Sequence, residues 1–142
     1  QVFAQDYAFA RRAFDCEGGF VELPLAWFSD DASWTAFGSA AGIRTIRGPK
    51  VRWRDSGINL SATNPVLAAK KWDAFLRYLY WLECRFPDEA YRTELWTAAA
   101  SWAHGVINAW GGRIPPHAAL RVWSTFARKT RSRKFSLLRR LV

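Results

Sequence analysis

With 142 residues, half of them hydrophobic and 16% aromatic, the chain is long enough to close one core and too apolar to be disordered by composition. Two cysteines, Cys16 and Cys84, permit one disulfide at most, which excludes a fold held together by disulfide staples. The formal charge of +9 points to a polyanionic partner, and 16 of the 21 basic residues are arginine, the side chain suited to bidentate contact with phosphate or carboxylate.

In chain order, Phe3, Tyr7, Ala10 and Phe14 recur at steps of four, three and four, which predicts an amphipathic helix over 2–15, stopped by Gly18 and Gly19. The run from Phe20 to Phe28 is broken by Pro24 and is expected to be extended. Ser29, Asp30 and Asp31 offer capping oxygens for a short helix carrying Trp34 and Phe37. Residues 43–54 read as two short arms about Gly48 and Pro49, with Val51 and Trp53 facing one way and Arg52 and Arg54 the other. A half-buried β-hairpin with a solvated cationic face accounts for this pattern. Arg44, Arg47, Lys50, Arg52 and Arg54 form a secondary basic patch on it.

Asn64 and Pro65 signal a helix start, and Ala68, Trp72, Phe75, Leu79 and Leu82 lie on one stripe of a helix running to about Arg85. Pro87 ends it, and Asp88 and Glu89 suit the positive end of the next helix, over about 88–110. From Leu95 to Gly112 no residue carries a formal charge. Thr97, Ser101, Gly105 and Ala109 recur every four residues there, a ridge of small side chains that allows another helix to approach closely. A transmembrane span over 95–112 would be at the short limit, and Thr97, Ser101, His104 and Asn108 weigh against it; a buried helix in an assembly is the preferred reading. Pro115 and Pro116 open a last helix with Leu120, Trp123 and Phe126, and Phe135, Leu138 and Leu141 recur beside the cations of the final stretch.

Charge is unevenly placed. Residues 1–94 hold 12 basic and 12 acidic side chains, whereas nothing after Glu94 is acidic. The entire excess is Arg113, Arg121, Arg128, Lys129, Arg131, Arg133, Lys134, Arg139 and Arg140, which are the candidate contacts to RNA or anionic lipid headgroups. The predicted fold class is mainly α, a helical domain of four to five helices over 1–127. Room remains for the short hairpin at 43–54 and for a basic amphipathic extension over 128–142.

No catalytic, metal-binding or cofactor-binding constellation is legible. His104 and His117 are wrongly spaced from the cysteines for a zinc motif, and no phosphate loop or nucleophile elbow occurs. His104 is expected to be a hydrogen-bonded core residue and His117 a surface one. Glu83, Asp88, Glu89 and Glu94 cluster about a helix junction, where capping and dipole roles account for them better than acid–base work. The chain begins at Gln1 and contains no methionine, as expected of a mature chain that has lost a leader or of a fragment. Taken with the nine tryptophans, these features lead us to expect a non-catalytic accessory subunit of a large, membrane-associated, energy-converting mitochondrial complex, at the inner membrane or in the matrix. It would dock on other subunits and on anionic lipid; a mitochondrial ribosomal or other RNA-binding protein is the alternative.

Overall fold

The computed structural model describes residues 6–48, 50–52, 65–110 and 114–130. Five helices follow in order: α1 (Arg11–Cys16), α2 (Ser29–Gly38), α3 (Pro65–Arg85), α4 (Glu89–Trp110) and α5 (Pro116–Thr130), with one 3₁₀ turn at Pro24–Ala26. No strand occurs among the described residues, so the mainly helical architecture holds.

The long helices start where their chemistry dictates. Pro65 opens α3, where a missing N–H is harmless. Asp88 caps α4, its Oδ1 accepting the Tyr91 N–H at 2.8 Å. Pro115 offers its carbonyl to the amides of Ala118 and Ala119, and Pro116 begins α5. The three helices pack each against the other two. Their core joins Trp72, Phe75, Leu76 and Leu79 of α3 to Trp96, Ala99, Ala100 and Ala103 of α4 and Ala118, Val122 and Phe126 of α5. Small residues on the inner face of α4 let Phe75, Trp96 and Phe126 meet at its centre: Phe126 lies 6.4 Å from Phe75 and 6.0 Å from Trp96.

The front of the chain departs from the predicted pattern. The helix expected over 2–15 is only α1, with residues 7–10 irregular chain before it and 1–5 outside the described residues. Tyr7 and Phe9 both reach Trp34, at 5.1 and 5.3 Å, and Phe9 also meets Phe14, Phe20 and Phe37. This aromatic cluster takes the side chains that a longer helix would have spread along one stripe. Gly18 and Gly19, both at positive φ, close α1 by returning their amides to Asp15 and Phe14.

A second departure is the start of α2. Ser29 does not cap it; its hydroxyl accepts the Leu23 N–H at 3.0 Å, and the residue before the helix is Phe28 in the left-handed region. Leu25 and Ala26 are also left-handed. Such residues cost about 1–2 kcal/mol each, and aromatic docking onto α3 offsets that strain. Phe28 stacks on Tyr78 at 5.0 Å and meets Phe75 at 5.3 Å, while the Lys71 ammonium lies 4.2 Å over the Trp27 ring. Lys71 is itself buried, and desolvation lowers its pKa. The hairpin expected at 43–54 is not formed among its described residues: 43–48 and 50–52 run as exposed, irregular chain. Among the described residues nothing pairs with either arm, and alternation alone does not hold a strand without a partner face.

Two outcomes check this account. Ala26→Gly relieves a left-handed residue and leaves thermal stability unchanged or raises it by up to about 1 kcal/mol, whereas Ala100→Gly inside α4 costs at least that amount in denaturant unfolding. The Tyr78 phenol is pushed up to about 12, chiefly by burial and then by the nearby Asp31 carboxylate. Its neutral form is therefore favoured in the fold. Stability present below the ordinary tyrosine pKa near 10 declines as pH rises toward 12, and Tyr78→Phe flattens that decline in base-titration melts.

Candidate polyanion-binding surface

Because α4 runs back between them, α3 and α5 are parallel, and two ion pairs mark the shared direction. Arg121 Nη2 lies 2.8 Å from Asp73 Oδ1, and eight residues further along α5 Lys129 Nζ lies 2.6 Å from Glu83 Oε2. Between these points the helices present one seam to solvent. Asp73 also holds Arg77, four residues on in α3, at 2.9 Å. Lys70 precedes Asp73 by one turn on the same face and is exposed. Arg128 stands two turns beyond Arg121 and is exposed, its Nη2 donating to Thr125 Oγ1 at 3.3 Å.

The seam therefore carries Lys70, Arg77, Arg121 and Arg128, with Asp73 pairing Arg77 and Arg121 and Glu83 marking its far end. The side chains of Arg77 and Arg121 remain 63% and 62% exposed although both touch Asp73. One edge of each guanidinium is engaged, and the remaining N–H groups face water. A planar fork held this way can grip a phosphate. Ser124 sits between the two arginines of α5.

Some sequence-predicted contacts fall here and others do not. Arg121 and Arg128 belong to the seam. Lys129 does not: it is half-buried against the Glu83 carboxylate, with its ammonium 4.7 Å over Tyr80 and 5.0 Å over Trp96. Arg113, Arg131, Arg133, Lys134, Arg139 and Arg140 lie outside the described residues. Of the secondary patch, Arg44, Arg47, Lys50 and Arg52 are exposed on irregular chain, and Arg54 lies outside the described residues. Lys70 and Arg77 are the seam residues that sequence reasoning missed. A tally along the chain placed them in the neutral front portion, and only their shared face with Asp73 would have singled them out.

The ridge of α4 is solvent-facing. Thr97, Ser101, Gly105 and Ala109 are all exposed, and a Cβ built on Gly105 meets no atom within 4 Å. Beside them Trp102 is 49% exposed while its ring still contacts Phe75 at 4.8 Å. His104 is exposed rather than in the core, hydrogen-bonded to Asn108 at 3.1 Å and set edge-on to Trp123. The reason is helical phase: Ala103 takes the inward position. His117 is exposed.

The acidic cluster separates into distinct tasks. Glu83 binds Lys129 and Arg92, Asp88 caps α4, and Glu89 and Glu94 face solvent. No group of three histidine, cysteine or acidic side chains among the described residues is placed to hold a metal ion. Cys16 and Cys84 are free thiols at the surface. An open groove of about 690 Å³ lies along Phe20–Leu23 and α2. Its two hydroxyls are already engaged, Ser29 with the Leu23 amide and Ser33 with the Val21 amide and the Ser29 carbonyl. No helix of the described residues is long and apolar enough to cross a membrane, α4 included. No family model, no curated protein and no solved structure matches the chain.

Lys129→Gln tests the division between seam and interior. It leaves Glu83 half-buried with Arg92 as its remaining ion-pair partner, and costs about 1–2 kcal/mol in chemical denaturation. Arg128→Gln, one residue away and exposed, changes stability by no more than about 0.5 kcal/mol.

Proposed function

We propose that the chain is a non-catalytic structural subunit of a larger assembly. In this reading the outer face of α4 seats against a protein neighbour, and the cationic C-terminal third meets a polyanionic surface. The observation that carries it is the face itself. From Thr97 to Ala109, α4 turns Thr97, Ala98, Ser101, Trp102, Gly105, Asn108 and Ala109 to solvent without one formal charge, while Trp96, Ala99, Ala100 and Ala103 fill the core behind. Solvent-facing helix surfaces usually carry charge, and interface centres are depleted of it. A glycine at the middle of an exposed helix face gives away helix propensity with no compensating contact among the described residues. A neighbour packing closely over it supplies the compensation.

Both halves of that statement are measurable. Gly105→Ala stabilises the isolated chain by about 0.5–1 kcal/mol, because nothing among the described residues opposes the added methyl group. Gly105→Phe leaves the isolated fold intact but removes the protein neighbours that co-purify with the wild-type chain under mild detergent. Retention of the same neighbours by Gly105→Phe contradicts the proposed docking face. The same preparation tests the membrane-associated mitochondrial setting expected from the sequence.

A further inference from the structure

We infer that the α3–α5 seam binds the phosphodiester backbone of RNA without regard to sequence, with Lys70, Arg77, Arg121 and Arg128 as its phosphate contacts. This deepens the polyanion contact proposed above by naming its residues and its partner.

Three observations favour RNA over a lipid surface. The first is what the seam lacks. A helix that rests on a bilayer needs an apolar face free to enter it, and most of the apolar surface of α5 is spent: Ala118, Val122 and Phe126 are buried against α3 and α4, and the exposed Leu120 by itself makes no such face. The second is what the seam displays. Its named groups are three guanidinium forks and an ammonium, the set that grips phosphate, while the Ser124 hydroxyl between them donates to the Arg121 carbonyl at 2.9 Å. The third is layout. Seven residues separate Lys70 from Arg77 and Arg121 from Arg128, so at 1.5 Å per residue each helix sets its cations roughly 10 Å apart along the axis. Two parallel rows of this kind follow a strand, where a compact headgroup would need cations converging on one point. Asp73 holds Arg77 on its own helix and Arg121 across the gap, and limits their excursions.

The test uses the full chain, a labelled 20-nucleotide single-stranded RNA of mixed sequence, and fluorescence anisotropy between about 50 and 200 mM salt. Replacing all four seam residues by alanine weakens binding at least tenfold at the lower salt and reduces the log–log salt slope by about 3, near 0.7 per lost phosphate contact. A variant with Arg77, Arg121 and Arg128 changed to lysine keeps most of the slope, which separates lost charge from a damaged fold. Alanine at Arg44, Arg47, Lys50 and Arg52 removes equal charge and serves as the matched control. Equal losses from the two alanine variants mean that net charge alone is being read, and overturn the proposal. It is also overturned if the seam variant retains wild-type RNA affinity while losing binding to vesicles containing phosphatidylserine, or to an acidic peptide. The assembly role is judged separately, because the α4 test reads protein co-purification and not RNA.

Discussion

The structure depends on the meeting of three rings, Phe75, Trp96 and Phe126, one from each long helix. Trp96 and Phe126 are almost completely buried, and Phe75 nearly so. Around them α4 contributes little but alanine, so α3 and α5 can approach each other across its inner face and remain parallel. That single packing decision fixes the register of the surface. Asp73 falls opposite Arg121 and Glu83 opposite Lys129, and the cations between them are brought to one seam. The other elements act on this bundle from outside: the strained turn at 25–28 pins aromatic side chains to α3, and Arg85 ties the ends of α1 and α2 to its last turn through Glu17 and Ser39.

The helices at the back of the chain were legible because their signals are local. A proline in the first turn, an aspartate at the cap and a stripe of period 3.6 need no knowledge of tertiary structure, and α3, α4 and α5 begin at Pro65, Glu89 and Pro116 accordingly. The front of the chain was less legible because its aromatics obey a tertiary constraint. Tyr7 and Phe9 face Trp34 from irregular chain ahead of α1, and a helical spacing in the sequence does not reveal that alternative. The arms about Gly48 likewise alternate in sequence and find no strand partner among the described residues.

Charge shows the same division between local and tertiary information. Counting along the chain located the basic end and found Arg121 and Arg128. It could not see that Lys129 is neutralised by a glutamate 46 positions earlier and covered by two rings. Nor could it see that Lys70 and Arg77, embedded in a stretch of zero net charge, stand beside the α5 arginines. Ion pairs between helices redistribute formal charge in space, and the effective surface is what remains after they form. By contrast, the uncharged stretch after Glu94 was readable at once, and the fold supplies its meaning: about half of its described residues pack on the core and half face solvent.

The central claim is that packing, and not chain position, assembles the cationic surface. NMR titration of the isotope-labelled chain with single-stranded RNA tests it most directly, following the arginine side-chain Nε–Hε resonances together with the backbone amides. The account predicts that Arg77, Arg121 and Arg128 respond together, with amide shifts confined to the facing turns of α3 and α5. Shifts restricted to residues 131–142, with Arg77 silent throughout, would contradict it.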